Sequence, residues 1–168
     1  MRSRLARVRN YLHPRLIGLV RHYYNYFWGT HLSEGVRIAL SAKLDKTNPE
    51  GIFIGPYSAV AFGATILSHD IATLKTTTTK IGSYCLIGAR SLIMPGITIG
   101  DHVIIGAGAV VMTNIPSNCV ALGNPARVIE RGIDTVEFGI RREAYEARLR
   151  EEQSGKVAKT GEGESTVI

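Results

Sequence analysis

Residues 86–101 read LIGARSLIMPGITIGD and carry an isoleucine at every sixth position, as Ile87, Ile93 and Ile99. A period of six matches neither the 3.6-residue period of an α-helix nor the two-residue period of a strand. It is typical of short strands that alternate with tight turns and bury the same side of every strand. The stretch therefore decides the fold class.

The six-residue repeat extends in both directions from this stretch. From Ile81 the hexads read IGSYCL, IGARSL, IMPGIT, IGDHVI, IGAGAV and VMTNIP. The first position is always aliphatic, the second is mostly glycine, and the fifth is mostly small or β-branched. Upstream the frame appears as IGPYSA, VAFGAT and ILSHDI from Ile54, so three or nine residues are inserted after Ile66.

This pattern predicts an all-β fold, a parallel β-helix in which each rung stacks on the next and the aliphatic column is buried. A glycine-rich β-sandwich is the alternative, and it would show residue alternation with irregular turn spacing. The regular period favours the β-helix.

The pattern also divides the chain into segments. We predict a basic, amphipathic and aromatic helical extension over residues 1–31 and the β-helix over residues 32–131. The polar, threonine-rich residues 72–80 are predicted as a loop inserted into the β-helix. A charged C-terminal helix is expected over residues 132–153 and a disordered tail over residues 154–168.

The net charge of +6 is unevenly distributed, because six arginines fall within the first 21 residues. They are Arg2, Arg4, Arg7, Arg9, Arg15 and Arg21. No nucleic-acid-binding motif accompanies them, so we expect no nucleic-acid partner. Contact with an anionic membrane surface stays open, and so does a helix that packs on the end of the β-helix.

We expect a cytoplasmic location. If the basic N-terminal segment contacts a membrane, the protein would lie peripherally at the inner face of that membrane. No run of 18 apolar residues predicts a transmembrane helix, and the N-terminal residues lack the pattern of a secretion signal. The two cysteines, Cys85 and Cys119, lie among aliphatic and small residues, which is typical of buried, reduced thiols.

Two further segments resemble one family. Residues 114–129, NIPSNCVALGNPARVI, and the tripeptide Ser68-His69-Asp70 resemble the hexapeptide-repeat acyltransferases, in the subgroup of maltose, galactoside and polysaccharide O-acetyltransferases. The resemblance covers residues 35–131. It implies a left-handed parallel β-helix with three hexads per coil, assembled as a homotrimer. It also implies active sites between adjacent subunits that bind acetyl-CoA and a carbohydrate acceptor.

The implied reaction, acetyl transfer to a sugar hydroxyl, needs a base that removes the hydroxyl proton and donors that stabilise the oxyanion. His69 is the candidate general base in a direct transfer between two bound substrates, since an imidazole with a pKa of about 6.5 can accept a proton near neutral pH. Asp70 either orients the imidazole or binds the acceptor, and the alternative is that Asp70 is a turn residue.

The resemblance also implies the residues that bind the acetyl donor. They are Ala89, Ala107, Met112, Thr113 and Arg127. The backbone N–H near Ala89 is the expected oxyanion donor, and Arg127 suits the nucleotide phosphate by charge and geometry. Relatives often carry serine at the place of Ala89 and a basic residue at the place of Thr113, so this chain lacks both of those side-chain contacts.

The leading interpretation is an acetyl-CoA-dependent O-acetyltransferase in the synthesis of a surface polysaccharide or a lipid-linked glycan. An N-acetyltransferase acting on an amino sugar and a non-enzymatic β-helix scaffold are the alternatives. A zinc carbonic anhydrase on this fold would need three convergent histidines, and the repeat region offers only His69 and His102. We therefore expect no metal.

Overall fold

The computed structural model describes residues 18–161, and the side chains of residues 18–153. Nearly all of its strands are only two or three residues long. In chain order they are β1 (His31–Leu32), β2 (Arg37–Ile38), β3 (Lys43–Leu44), β4 (Ile52–Ile54), β5 (Ala59–Val60), β6 (Thr65–Ile66), β7 (His69–Asp70), β8 (Lys75–Thr76), β9 (Thr79–Ile81), β10 (Leu86–Ile87), β11 (Leu92–Ile93), β12 (Thr98–Ile99), β13 (Ile104–Ile105), β14 (Val110–Val111), β15 (Cys119–Gly123), β16 (Ala126–Arg131), β17 (Thr135–Val136) and β18 (Ile140–Arg141).

Three parallel sheets form the sides of the rod. Sheet one contains β1, β4, β9 and β12, and sheet three contains β3, β6, β11 and β14. Sheet two contains β2, β5, β10, β13 and β15, and the antiparallel strand β16 extends it. Each coil visits the three sheets in turn, so the predicted parallel β-helix is confirmed.

The register gives the length of a regular coil. Ile81 pairs with Ile99 in sheet one, and Ile87 pairs with Ile105 in sheet two. Both pairs are 18 residues apart, which corresponds to three hexads in each coil.

The first position of every hexad points into the rod, as predicted. The column Ile81, Ile87, Ile93, Ile99, Ile105 and Val111 is at most 3% exposed. The fifth position forms a second inward column, Cys85, Ser91, Ile97, Val103, Ala109 and Ile115, and all six are buried. Because burial of one such aliphatic side chain stabilises by about 1.5–3 kcal/mol, these columns are the main source of stability.

Glycine at the second hexad position is required because successive coils stack closely. A Cβ added to Gly88 would lie 2.4 Å from the carbonyl oxygen of Ile105 in the next coil. A Cβ on Gly82 would lie 2.5 Å from the carbonyl oxygen of Gly100. Since both neighbours are backbone atoms, neither contact can be relieved by a side-chain rotation.

Two insertions interrupt the regular coils. The pairing of Ile54 with Ile81 spans 27 residues, so nine residues are inserted after β6, and most of them form the β7–β8 hairpin. The pairing of Leu32 with Ile54 spans 22 residues, so four residues are inserted between β3 and β4, next to a 3₁₀ turn at Pro49–Gly51. The sequence analysis missed this second insertion, because Leu44 and Ile52 both remain buried and leave no obvious gap.

The predicted loop over residues 72–80 ends too late. Thr79 and Lys80 belong to β9 in sheet one, and the excursion from the rod begins at His69. Thr79 is buried despite its polar side chain, since its hydroxyl donates to the carbonyl of Leu67 at 2.6 Å and accepts from the N–H of Gly96 at 3.0 Å.

Helices flank the β-helix. Residues 18–27 are helical (α1), and residues 1–17 of the predicted extension lie outside the described chain. Helix α2 (Arg142–Gly161) continues into the stretch predicted as disordered from residue 154, where lysine and alanine still favour a helix. Residues 162–168 lie outside the described part. Within residues 18–161 no helix is long and apolar enough to span a membrane.

Candidate active site

The predicted site residues lie along two edges of the rod. The turns from sheet three to sheet one form the His69 corner, which consists of residues 45–51, 67–78, 94–97 and 112–114. The turns from sheet two to sheet three form the alanine corner, which consists of residues 39–42, 61–64, 88–91 and 106–109. Both insertions lie in the His69 corner, in consecutive coils.

His69 is oriented by a carboxylate from the coil before it. Its Nδ1 lies 3.0 Å from Oδ2 of Asp45, a residue of the four-residue insertion. The Asp45 side chain is 5% exposed and the His69 side chain is 23% exposed, so the pair lies at the surface with its carboxylate covered. Because the carboxylate accepts the proton on Nδ1, the other ring nitrogen, Nε2, is left as a proton acceptor.

The same carboxylate is held by the backbone. Oδ2 of Asp45 also accepts from the N–H groups of Ser68 and His69, each at 3.0 Å, and Oδ1 accepts from the N–H of Thr47 at 2.9 Å. Burial alone would raise the pKa of Asp45, but these amide donors and the imidazole together hold that pKa below its usual range. Asp45 is therefore ionised at neutral pH and can stabilise a positive charge on His69.

Asn48 and Ser68 tie the two insertions together. The Asn48 amide nitrogen donates to the carbonyl oxygens of Ser68 and Thr77, both at 2.9 Å, and the Ser68 hydroxyl donates to the carbonyl of Asn48 at 2.5 Å. Ser68 is fully buried. These bonds fix the loop that carries Asp45 against the hairpin that carries His69.

Asp70, for which an orienting role, acceptor binding and a turn role were open, forms the turn of the hairpin. It accepts from the Thr73 hydroxyl at 2.8 Å and from the N–H of Ala72 at 2.9 Å, and the Thr73 hydrogen bond is the main cause that lowers its pKa. Neighbouring side chains in an extended strand diverge, which explains why the contact to the imidazole comes from Asp45. Asp45 was missed because its coil precedes the recognisable tripeptide.

The predicted donor-binding residues are divided between the two corners. Met112 and Thr113 are exposed in the His69 corner, two coils beyond His69. Ala89 and Ala107 lie in the alanine corner of successive coils, where the N–H of Gly108 donates to the carbonyl of Ala89 at 2.8 Å. One chain therefore does not bring its two donor-binding groups together.

Arg127 belongs to the alanine-corner side of the rod. It lies in β16 opposite Leu122 of β15. The Leu122 side chain occupies the space that a Cβ on Gly106 would need. The Arg127 guanidinium is exposed and donates to the carbonyl of Ala126 at 3.1 Å. The predicted phosphate ligand Arg127 thus presents its guanidinium at the surface.

A pocket of about 250 Å³ opens below the β7–β8 hairpin in the His69 corner. Asp70, Thr73, Lys75, Met94, Pro95 and Met112 line it. Met94, Pro95 and Met112 form an apolar wall that can contact a flexible part of a ligand. The hairpin residues form the polar wall. Among the described residues, no group of three histidine, cysteine, aspartate or glutamate side chains is arranged to hold a metal ion.

Comparison with known proteins agrees with this geometry. Residues 78–113 match the family model for the bacterial transferase hexapeptide, six repeats. The chain is 31% identical over 115 residues to "Putative acetyltransferase YvoF" of Bacillus subtilis, and the match covers 67% of each chain. It is 36% identical over 90 residues, half of each chain, to "Putative colanic acid biosynthesis acetyltransferase WcaF" of Escherichia coli.

A solved structure shows the same likeness. The maltose O-acetyltransferase of Clostridium difficile aligns with a TM-score of 0.53 and 29% identity, over 66% of this chain and 73% of that protein. Repeat, register and relatives thus agree on the β-helix. The chain belongs to the hexapeptide-repeat acetyltransferases.

Proposed function

We propose that the protein transfers the acetyl group of acetyl-CoA to a hydroxyl of a carbohydrate, with His69 as general base. The observation that carries the proposal is the bond between His69 Nδ1 and Asp45, which leaves Nε2 as a base at the surface of the rod. The similarity to a maltose O-acetyltransferase and to a protein named for colanic acid biosynthesis supports a sugar hydroxyl as acceptor, in a surface polysaccharide or a lipid-linked glycan.

The reaction follows from this arrangement. The acceptor oxygen forms a bond to the thioester carbon while Nε2 of His69 takes the hydroxyl proton, and Asp45 stabilises the resulting imidazolium. The tetrahedral intermediate carries its negative charge on the former carbonyl oxygen, where a backbone N–H of the turn at Ala89 would donate. When the intermediate collapses, the carbon–sulfur bond breaks and the CoA sulfur receives the proton from His69.

The site is completed by a second copy of the chain. Met112 and Thr113 share a corner with His69, whereas Ala89, Ala107 and Arg127 lie along another edge of the same rod. Acetyl-CoA can contact both groups if the His69 corner of one subunit faces the alanine corner of the next. Family membership supports a homotrimer of left-handed coils, in which every subunit supplies one corner to each neighbour.

The experiment that tests this function measures CoA release from acetyl-CoA in the presence of free, nucleotide-linked and lipid-linked sugars. We expect release that depends on the acceptor in wild type and is lost in His69→Ala. A mixture of His69→Ala and Ala107→Trp subunits should recover activity, because some sites then combine an intact His69 corner with an intact alanine corner. Release that persists in His69→Ala would refute the assignment of the base, and failure of the mixture to recover activity would refute the shared site.

We also propose that helix α1 contacts an anionic membrane surface, where a lipid-linked acceptor would reside. Leu19, Tyr23, Tyr26 and Phe27 are 64%, 50%, 85% and 67% exposed, and large apolar and aromatic side chains of this kind partition to the membrane interface. The arginine-rich start of the chain has the complementary charge. Sedimentation with anionic but not zwitterionic vesicles is expected, and a Tyr26→Ser/Phe27→Ser variant that sediments equally well would refute the contact.

A further inference from the structure

Each strand of sheet three runs from the alanine corner to the His69 corner, so every coil has one residue of interest at each end of that strand. The pairs are Phe62 and His69 at β6, Ala89 and Met94 at β11, and Ala107 and Met112 at β14. Two residues at the ends of one short strand belong to the same coil. The pairs therefore give the level of each site residue along the rod.

The turns of the alanine corner stack in register. The N–H of Arg90 donates to the carbonyl of Phe62 at 3.0 Å, and the N–H of Gly108 donates in the same way to the carbonyl of Ala89 at 2.8 Å. Phe62 and Ala89 therefore occupy equivalent positions in successive turns. Leu40 takes this position one coil before Phe62, since the strands that precede the two residues pair in register.

The side chains at this turn position change size at the level of His69. Leu40 is 89% exposed and Phe62 is 58% exposed, whereas the next two coils carry alanine there. Strands of neighbouring coils lie about 4.8 Å apart, so Leu40 and Phe62 form one continuous apolar patch. An exposed patch of this kind is typical of a surface that contacts a ligand or another subunit.

A threefold rotation keeps every coil at its own height along the axis, so coils of equal level meet between subunits. In the proposed shared site, Ala107 of one subunit then faces Met112 of the next, which brings the predicted donor-binding residues together. By the same relation Phe62 faces His69, while Ala89 and Ala107 lie further toward the C-terminal end. The donor therefore lies at the alanine levels, and the level of Phe62 remains for the acceptor.

We propose that Phe62 of the adjacent subunit stacks on the sugar ring of the acceptor and so positions its hydroxyl at Nε2 of His69. A pyranose ring presents axial C–H groups on its faces, and these groups match the flat, apolar surface of an aromatic ring. Ligand sites commonly combine such an aromatic wall with a few polar groups that fix orientation. This inference rests on the proposed function, because it names a specificity-determining residue of the same shared site.

The kinetics of the best acceptor from the sugar panel test this role. Phe62→Ser should raise the KM for the acceptor about fivefold or more and leave the KM for acetyl-CoA unchanged, because only the acceptor lies at this level. Phe62→Tyr should retain the low acceptor KM, since it keeps the ring. Tyr145→Ser, which removes an exposed ring from helix α2, is the matched control.

Mixed trimers test whether the ring comes from the adjacent subunit. A mixture of His69→Ala and Phe62→Ser subunits contains sites that combine an intact His69 with an intact Phe62, so activity with the wild-type acceptor KM should return. If Phe62 served the His69 of its own chain, every active site would keep the substitution, and a KM that stays high would overturn the proposal. Loss of the trimer in Phe62→Ser, measured by light scattering, would also overturn it, because Phe62 would then hold the subunits together.

A binding measurement separates this inference from the proposed activity. Saturation-transfer NMR detects contact of methyl β-glucopyranoside or methyl β-galactopyranoside with the protein without any transfer step. His69→Ala should keep the wild-type signal, Phe62→Ser should lose most of it, and sorbitol, which has no ring, should give none. A signal that depends on Phe62 without acetyl transfer would refute the proposed function but not the stacking contact. Equal signals from wild type and Phe62→Ser, or no signal with either glycoside, would overturn the contact.

Discussion

The imidazole of His69 and the carboxylate of Asp45 are joined by a 3.0 Å contact although 24 residues separate them in the sequence. They meet because insertions leave the rod at the same corner in two consecutive coils. The inserted residues carry the reactive groups and the regular coils hold them in place. The contact between His69 and Asp45 thus forms where the six-residue repeat is broken.

The first prediction concerns the two carboxylates near the base. His69→Ala should lower kcat by about 10²–10⁴-fold, the usual range for a general base. Asp45→Asn should lower kcat by at least about tenfold, because the imidazole loses the partner that fixes its proton on Nδ1 and stabilises its charge. Asp70→Asn should have the smaller effect, since Asp70 contacts the hairpin turn.

The measurement is the steady-state rate of CoA release with the best acceptor, together with its pH profile. Asp45→Asn should also change the pH dependence of kcat, which a variant that only loosens the loop would not do. A larger loss of kcat in Asp70→Asn than in Asp45→Asn would return the orienting role to Asp70.

The second prediction concerns stability in acid. The folded-state pKa of Asp45 lies below its unfolded value of about 3.9, so the ionised carboxylate stabilises the fold above about pH 4. That stabilisation is lost as the pH falls through the folded-state pKa. Asp45→Asn should cost about 1–3 kcal/mol of unfolding free energy near neutral pH, because several buried donors lose a charged acceptor.

Urea unfolding at a series of pH values tests this sign. The difference in free energy of unfolding between wild type and Asp45→Asn should narrow below about pH 4, because the unfolded wild-type chain binds a proton at Asp45 there and the folded protein binds it only at lower pH. Glu34→Gln, at an exposed position, should show no such convergence. A difference in unfolding free energy that widens in acid would contradict the lowered pKa of Asp45.

The fold was predictable from the sequence to a large extent, since the hexad column at Ile81 to Val111 determines which side chains are buried. Three hexads per coil was an implication of the family resemblance, and the observed 18-residue register agrees with it. The four-residue insertion between β3 and β4 was not predictable, because Leu44 and Ile52 preserve buried positions on either side of it. A search for periodicity finds the residues that recur every six positions. Extra residues between two buried positions have no period of their own, so such a search does not reveal them.

The site was predictable only in part. His69 was identified from a local tripeptide, but its partner Asp45 lies a coil away, and sequence spacing across two insertions does not specify which turns meet. The predicted donor-binding residues lie at two different corners. This becomes clear only once each residue is assigned to an edge of the rod.

The third prediction concerns the inward column. Ile87 is fully buried between two coils, so Ile87→Ala should lower the free energy of unfolding by about 2–5 kcal/mol through lost burial and the cavity left behind. Thr98 is exposed in sheet one, and Thr98→Ala should change stability by less than about 0.5 kcal/mol. Denaturant unfolding of the two variants at equal protein concentration makes the comparison. Similar losses in both would show that the inward column does not dominate stability.

The last prediction concerns the thiols. Burial raises the pKa of Cys85 to about 12, and burial also raises the pKa of Cys119, so both remain protonated at neutral pH. Neither of these two free cysteines should react with Ellman's reagent at about pH 8 in the native protein, and both should react after unfolding in guanidinium chloride. Because the thiolate is the reactive form, fast reaction of one thiol in the folded protein would mean that its coil opens readily. Repeating the assay with Cys119→Ala would then show whether the opening lies at Cys119, near the end of the rod, or at Cys85 in its interior.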